Sequence, residues 1–373
     1  MPANRAANDR GLRVAIVGAG AVGSATAAYL AEAGHRPAFW SPSMTRLPVA
    51  GGTARFTCTG ALSRSFAVPV LAEPGDIAQC DAVIVCLPAN AYAPVLQLLG
   101  AHWRGGQAVI VSGALSLSPL WLFEAARARG VAIQAVAWGT TIATAHFTEP
   151  GRLHVNPMRK RIDMAALGGN GPDTARRLCE QLLGDRFALS ANLLWPALAN
   201  INPIAHAAEV MPNLSRMDKG EAWPLFGCFT RTVARLAGRL DRERLAVAAA
   251  LGCTLPTLAQ HYASSYHLEA GSLETLAAAI HERGMGPNGP SRLEHRYVLE
   301  DAPYGLVFTE SLGRIAAVPT PALSACIDLL QVFYERDFRS ENFLLDALGL
   351  GATDAVSLQN RCTAARNAAI GAS

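Results

Sequence analysis

The stretch Val14-Ala-Ile-Val-Gly-Ala-Gly-Ala-Val-Gly23 joins a short apolar run to a glycine-rich turn, and a helical run from Ser24 to Ala33 follows it. A strand, a G-x-G-x-x-G turn and a helix in this order are typical of dinucleotide-binding sites. The first glycine allows the tight turn, the second lets a pyrophosphate approach the backbone, and the third permits close packing of the helix on the sheet. The alternative is a turn that binds nothing. We predict a cofactor-binding turn made of Gly18, Gly20, Ala21, Val22 and Gly23.

The second predicted strand, Pro37-Ala-Phe-Trp40, lacks the acidic residue that NAD-selective proteins usually carry about 20 positions after the turn. Residues 33–72 contain no Asp or Glu but contain four arginines. Ser41, Ser43 and Arg46 follow the strand, where a 2′-phosphate would lie. We therefore predict NADP(H) in preference to NAD(H). The alternative is that these arginines are ordinary surface charges.

The pattern of strands and helices changes near residue 195. Before it, β-rich runs such as Ala82–Cys86 and Ala108–Val111 alternate with helical segments, which predicts a parallel α/β sheet. From Pro196 onward the apolar residues recur with a helical period. We predict an α/β plus α fold class, with an N-terminal Rossmann-type doubly wound sheet over residues 1–195 and a C-terminal all-helical domain over residues 196–373.

Ligands of such sheets bind beyond the carboxyl ends of the strands. Leu87 and Pro88 follow one predicted strand, and Gly113 follows the next. We predict that these three residues shape the nicotinamide side of the site, although they are equally compatible with ordinary loops.

Local signals add three finer predictions. The basic run Arg159-Lys160-Arg161 lies between two strand-like segments, which indicates a solvated hairpin turn. Asp241 is placed to cap a helix that follows a first one ending at Leu240. Ser272 is placed to cap a helix that Gly284 ends.

Composition excludes several classes of protein. The chain has 373 residues, 51% hydrophobic and 16% charged, with a net charge of +3, so a disordered chain or a nucleic-acid partner is not expected. The eight cysteines form no C-x-x-C pair, which leaves a metal site or a disulfide framework unsupported. No apolar run has the length of a membrane span. We expect a cytoplasmic protein with no membrane partner.

Two polar clusters in the helical domain are candidates for acid–base chemistry. Asn202 and His206 are four residues apart, so a helix would present both on one face. A histidine exchanges protons near neutral pH, and a carboxylate can fix its tautomer. The second cluster, Arg292 to Gly305, supplies acids and arginines, and an arginine fork can hold a carboxylate. Alone, the histidine would fit a core residue and the cluster a solvated loop. Aromatic and apolar residues that could wall a pocket or belong to the core are Trp223, Tyr297, Tyr304 and Met211.

Three segments closely resemble the opine dehydrogenase (octopine/nopaline dehydrogenase) family. They are Asn202-Pro-Ile-Ala-His206, Arg296-Tyr-Val-Leu-Glu-Asp-Ala-Pro-Tyr-Gly305 and Val318-Pro-Thr-Pro321. The loop Leu87-Pro-Ala89 and the glycine turn are also similar to that family. The resemblance covers nearly the whole chain, and the second segment is its most specific part.

The resemblance implies an NAD(P)H-dependent oxidoreductase that condenses an α-keto acid reductively with the amino group of an amino acid, usually as a homodimer. It places the catalytic pair at His206 and Asp301, with Asn202 beside them. It places the substrate-binding arginine at Arg296, and we add Arg292 as a second anchor. The family often has proline after the histidine, where this chain has Ala207, so the pocket and the substrate pair are expected to differ.

Two other functions remain open at this point. One is a two-domain ketoacid reductase of the ketopantoate reductase type, which reduces a keto group without an amine. The other is a non-catalytic NADP-binding sensor, in which a paired histidine and aspartate would have no purpose.

Overall fold

The computed structural model of the protein describes residues 11–363, which divide into two compact units. Within these residues, the first unit comprises 11–196 and 360–363, and the second is Ala197–Gln359. The ends of the two predicted domains, residues 1–10 and 364–373, lie outside the described residues.

Residues 360–363 belong to the first unit, although the predicted helical domain included them. Arg361 forms an ion pair with Glu124 at 2.8 Å, and the Leu193 N–H donates to the Cys362 carbonyl at 3.1 Å. These contacts join residues that are distant in sequence, so no local sequence pattern could have indicated them.

The strands of residues 11–363 all lie in the first unit and form two sheets. They are β1 (Arg13–Val17), β2 (Arg36–Trp40), β3 (Val49–Ala50), β4 (Thr53–Gly60), β5 (Ser65–Pro69), β6 (Ala82–Val85), β7 (Ala108–Val111), β8 (Gln134–Trp138), β9 (Ala145–Glu149), β10 (Arg152–Val155), β11 (Ile162–Leu167) and β12 (Phe187–Leu189).

The larger sheet has seven strands in the order β12-β11-β8-β7-β6-β1-β2. Neighbouring strands are parallel except β8 and β11, which are antiparallel. β6, β7 and β8 are buried along their whole length, as expected for strands covered on both faces. This sheet confirms the predicted Rossmann-type architecture. The helices that follow its strands are α1 (Ala21–Glu32), α2 (Tyr92–Gly100), α3 (Ser118–Ala128) and α4 (Pro172–Leu183).

The smaller sheet has the order β3-β4-β10-β9, with β5 also paired to β4. β10 pairs with β4 and β9, whereas β11 belongs to the larger sheet. The prediction of a hairpin turn at Arg159-Lys160-Arg161 is therefore wrong, because this run connects strands of two different sheets. Arg159 is held there by bonds from its backbone and its side chain to the Ile142 and Thr141 carbonyls.

The second unit is helical, as predicted. α5 (Leu194–Ala199) crosses the boundary between the units. None of the helices within residues 11–363 combines the length and apolar character needed to cross a membrane. The other helices of the second unit are α6 (Asn202–Val210), α7 (Leu214–Asp218), α8 (Arg231–Ala250), α9 (Leu258–Tyr266), α10 (Leu273–Glu282), α11 (Arg296–Leu299), a π-helical turn (Ala302–Leu306), α12 (Val307–Ile315), α13 (Pro321–Tyr334), α14 (Phe338–Glu341) and α15 (Phe343–Ala347). α16 (Ala355–Arg361) begins in the second unit and ends in the first.

Asp241 does not cap a helix where the sequence pattern placed it. It lies in the middle of α8, which continues without interruption, and its carboxylate is buried against Arg244 at 2.7 Å. The same carboxylate accepts the Leu258 N–H at the start of α9, at 2.7 Å. The residue therefore caps a helix that is distant along the chain. The predicted roles of Ser272, which accepts from the Thr275 N–H, and of Gly284, which adopts a positive φ after α10, are confirmed.

A buried carboxyl group links α6 to α9. The Tyr262 hydroxyl donates to Glu209 Oε1 at 3.2 Å, while Oε2 is buried and has no hydrogen-bond partner within residues 11–363. Burial raises the pKa of Glu209 to about 8, and the bond from Tyr262 opposes this only partly. The folded state therefore binds a proton at this site between pH 4.5 and 8, whereas the unfolded chain has released it.

We predict that Glu209→Gln becomes more stable relative to the wild-type protein as the pH rises. The stability contributed by the protonated carboxyl is fully present below the unfolded pKa and is lost as the pH rises through the folded pKa. Glutamine keeps an acceptor for Tyr262 and stays neutral, so the difference in free energy of unfolding grows by up to about 1.4 kcal/mol per pH unit. Urea unfolding at pH 5.5, 7.0 and 8.5 measures it.

Glu282→Gln is the matched control, because Glu282 is exposed on α10 and undergoes the same change of charge. The control is expected to show a flat difference across this range. An equally flat difference for Glu209→Gln would mean that its carboxyl ionises normally in the folded protein.

Candidate active site

The glycine turn after β1 has the geometry of an anion cradle. Gly18 has φ +108°, and its N–H donates to the Trp40 carbonyl at 2.9 Å. A Cβ on Gly18 would lie 2.6 Å from the Cys86 carbonyl oxygen, and one on Gly23 would collide with the Gly18 carbonyl. Only glycine fits at these two positions.

Gly20 is different, because a Cβ there would meet nothing within 4 Å. It stands at the start of α1, next to Ala21 and Val22, in an open space. The first backbone N–H groups of a helix have no partners within the helix and attract anions. The turn therefore fits the pyrophosphate of a dinucleotide.

The loops predicted to bind the cofactor begin side by side. Val17, Val85 and Val111, the last residues of β1, β6 and β7, are in register on neighbouring parallel strands. The glycine turn, the Leu87-Pro88 loop and Gly113 therefore leave the same edge of the sheet. Gly113 has φ +67°, which a glycine adopts without strain.

The predicted 2′-phosphate loop follows β2 at the same edge, since Trp40 is in register with Val17. The Ser41 hydroxyl donates to the Ser43 carbonyl at 2.7 Å and shapes the loop. The Arg46 side chain is exposed and has no hydrogen-bond or ion-pair partner in the described part of the chain. Arg46 is therefore available to an anion.

His206 and Asp301 lie together in the helical unit. His206 is on α6, four residues after Asn202, and its Nδ1 is 2.6 Å from Asp301 Oδ2. His206 is 8% exposed and Asp301 is 3% exposed. Because an ionised carboxylate has no proton to donate, Nδ1 carries the proton and donates it, which leaves Nε2 to exchange protons.

Asp301 lies immediately before a π-helical turn. Although this stretch contains Pro303 and Gly305, the chain continues from α11 through π-helical residues 302–306 into α12. The Asn342 amide donates to the Pro303 carbonyl at 3.0 Å, and the Thr309 hydroxyl donates to the Gly305 carbonyl at 2.8 Å. These side chains therefore pair with carbonyl groups of the π-helical turn. Such turns are frequent at functional sites.

Gly305 allows the π-helical turn to lie directly against α6. A Cβ at this position would collide with the ring of Pro203, which is in the first turn of α6. α6 is an unbroken helix through Ala207, and both Ala207 and Ala208 are buried. The absence of the family's usual proline therefore leaves the helix that carries His206 regular.

Burial is the largest influence on the imidazole and lowers the pKa of His206. The hydrogen bond and charge of Asp301 oppose this effect, and the nearby positive charge of Arg296 adds a smaller lowering. Burial therefore favours the neutral imidazole, whereas Asp301 favours the imidazolium.

Of the two predicted substrate-binding arginines, Arg296 lies near this pair and Arg292 lies near His295. The side chain of Arg296 is 57% exposed, and its only contact with an acid in the described residues is Glu300, at 3.4 Å. Arg292 is exposed and close enough to His295 to lower its pKa slightly, in addition to the larger effects of burial and of Arg296. The predicted roles of these arginines and of the Asn202 amide remain proposals.

Sequence reasoning missed two features next to His206. Tyr297 stacks on its imidazole ring, and Glu209 lies one helical turn further along α6. The three-residue spacing from His206 to Glu209 was a usable signal, whereas nothing local indicated the stacking. Trp223 and Tyr304, for which the sequence left a pocket wall or the core open, are 1% and 4% exposed and belong to the core. No group of three or more His, Cys, Asp or Glu residues between positions 11 and 363 is arranged to hold a metal ion.

Two family models match this chain, one in each of its two parts, and a curated opine dehydrogenase matches over most of its length. Residues 189–334 match the model described as NAD/NADP octopine/nopaline dehydrogenase, alpha-helical domain, and residues 14–168 match that of ketopantoate reductase PanE/ApbA. An opine dehydrogenase from Arthrobacter sp. (strain 1C) is 27% identical over 354 residues, which are 93% of this chain and 97% of that protein.

Solved structures show the same fold. Octopine dehydrogenase in complex with NADH and agmatine has a TM-score of 0.76 at 15% identity and covers 93% of this chain and 98% of its own. Yersinopine dehydrogenase with bound NADP+ has a TM-score of 0.64 at 17% identity, covering 94% of this chain and 98% of its own. The resemblance to the opine dehydrogenase family predicted from the sequence is confirmed.

Proposed function

We propose that this protein is an NAD(P)H-dependent opine dehydrogenase, which joins an α-keto acid to the amino group of an amino acid by reducing the imine between them. The buried His206–Asp301 pair, 2.6 Å apart, carries this proposal. A proton-exchanging histidine held by a carboxylate fits a reaction that adds protons to oxygen and nitrogen, and it lies in the region that matches the family's helical domain.

The reaction proceeds in two stages. The amine nitrogen attacks the keto carbon, and loss of water from the adduct gives an imine. The imine carbon then accepts a hydride, which the reduced nicotinamide supplies when bound. Summed from the ammonium form of the amino acid, the keto acid and NAD(P)H, the conversion consumes one proton and releases one water.

The side chains of the helical unit each perform a part of this chemistry. His206 Nε2 delivers protons to the departing oxygen and to the imine nitrogen, and it accepts a proton in the reverse direction. Asp301 holds the tautomer and stabilises the imidazolium. Arg296 binds the carboxylate of the keto acid with its guanidinium fork, assisted by Arg292, and the Asn202 amide orients the reacting group.

We further propose that the enzyme prefers NADP(H). The exposed, unpaired Arg46 and the absence of acidic residues over positions 33–72 support a site for the 2′-phosphate. The homodimer implied by the resemblance stays a prediction.

The first experiment measures NADPH oxidation with pooled small α-keto acids, with and without pooled amino acids. We expect oxidation only when both pools are present. Oxidation with the keto acids alone would instead identify a ketoacid reductase. Cofactor binding without turnover on any carbonyl compound would favour a sensor.

His206→Ala tests the proton-exchanging group with the substrate pools that support oxidation. We expect turnover to fall by about 10²- to 10⁴-fold and NADPH affinity to stay unchanged. His281→Ala, which removes an exposed histidine, serves as control.

Asp301→Asn tests the charge of the pair with little change in shape. We expect kcat to fall by about 10³-fold or more, since the imidazolium loses its counter-charge. Asp301 raises the pKa of His206, so the acidic limb of the pH profile in the oxidative direction should also move to lower pH. Asp328→Asn, which removes a carboxylate that is 62% exposed, is the matched control. Near-normal turnover of Asp301→Asn would remove the pair from the mechanism.

Arg46→Ala tests the cofactor preference. Loss of a charge-assisted contact with the 2′-phosphate should raise the KM for NADPH by about tenfold to a hundredfold and leave the KM for NADH unchanged. Arg55→Ala removes another exposed arginine of the same interval, on β4, and serves as control. An equal effect of Arg46→Ala on both cofactors, or a wild-type preference for NADH, would contradict the proposal.

A further inference from the structure

Tyr297 makes a close ring contact with the imidazole of His206. The two rings are nearly parallel, at 10°, and their centroids are 3.4 Å apart. The His295 ring meets Tyr297 edge-on, at 84° and 4.5 Å, so the tyrosine is held between two histidines. Tyr297 directly follows Arg296, the proposed anchor of the keto acid.

The bond to Asp301 does not by itself fix the imidazole. A single hydrogen bond at Nδ1 constrains one edge of the ring, and the ring can still tilt about that contact. A parallel aromatic ring on its face blocks this tilt. The edge contact with Asp301 and the face contact with Tyr297 together fix the direction of Nε2, the atom that exchanges protons with the substrate.

The stacking also affects the charge state of the His206 imidazole. The face of an aromatic ring is electron-rich and attracts a cation, so Tyr297 favours the imidazolium. The groups around this pair come from several elements: Asp301 precedes the π-helical turn, Arg296 is on α11, and His295 and Arg292 precede α11. Glu209 on α6 and Tyr262 and Tyr266 on α9 also lie near Tyr297. Burial is the main cause of the raised pKa of the Tyr297 hydroxyl, and Glu209, Asp301 and Tyr266 add smaller effects in the same direction. Among these groups, Tyr297 is the one that stacks on the His206 ring.

Tyr297 is half-buried, and its hydroxyl has no hydrogen-bond partner within residues 11–363. The polar end of the side chain therefore does not explain its position, whereas the ring does. Phenylalanine should serve equally well at this position.

On the basis of the proposed function, we propose that Tyr297 is a positioning residue for His206, whose stacked ring fixes the imidazole plane and favours its protonated form. It acts through His206 and is distinct from Arg296, which binds the substrate. A residue that merely filled the core would support the fold without influencing the titration of His206.

The test compares Tyr297→Phe and Tyr297→Leu with the wild-type protein. The Phe variant keeps the ring and should retain kcat within about twofold. The Leu variant loses it, and kcat should fall by about tenfold to a hundredfold, the scale expected for a misoriented catalytic group, with a much smaller change in the keto-acid KM. Tyr334→Leu is the matched control, because Tyr334 is a half-buried tyrosine of the same unit that packs on Phe338. Tyr297→Met replaces the Leu variant if that protein does not fold.

A second readout does not depend on activity. The imidazole resonances of His206, assigned with His206→Ala among the nine histidines, are titrated by NMR in the cofactor-free protein. Tyr297→Leu should remove the ring-current shift and lower the pKa of His206, whereas Tyr297→Phe should preserve both. Unchanged His206 resonances in a folded Tyr297→Leu, or a kcat within about twofold of wild type, would overturn the inference. Lack of amine-dependent turnover in the wild-type protein would contradict the proposed function, and the titration would still decide the role of Tyr297.

Discussion

The hydrogen bond between His206 and Asp301 is the contact on which the helical unit's site depends. Its partners are 95 residues apart in sequence, and it joins α6 to the start of the π-helical turn. Removing a carboxylate from water costs several kcal/mol unless a partner compensates, so a nearly buried Asp301 requires this bond. The bond in turn requires that the two segments approach closely. Gly305, facing Pro203 without a side chain, makes that approach possible.

The need to pair buried polar groups also explains why polar side chains lie around the π-helical turn. A widened turn disturbs the regular helical hydrogen bonds, and each buried carbonyl left unpaired would cost about 1 to 3 kcal/mol. Asn342 and Thr309 donate to carbonyls of the turn, so the distortion is retained at small cost. The regular α6 on the other side, continuous through Ala207, gives His206 a rigid support.

Sequence reasoning succeeded where local chemistry decides the structure. The glycine turn depends on backbone shape within six residues, and β1 and the helix that carries Asn202 and His206 have the predicted positions. It failed where distant segments decide. The β10 and β11 strands are neighbours in sequence but join different sheets, and Asp241 caps a helix whose start lies 17 residues away. The smaller sheet was missed although β4 alternates between buried and less buried residues.

The balance of charges around His206 also bears on the direction of the reaction. Burial favours the neutral imidazole, and Asp301 favours the imidazolium. In the proposed mechanism, reductive condensation consumes a proton and uses the imidazolium of His206, whereas oxidation of the product uses its neutral form. Because burial has the larger effect on the pKa of His206, the proposed mechanism predicts that the reductive direction gains from mild acidity. Each residue that favours the imidazolium therefore extends the pH range of condensation toward neutrality, and this gives a physical reason for a carboxylate on one side of the ring and an aromatic face on another.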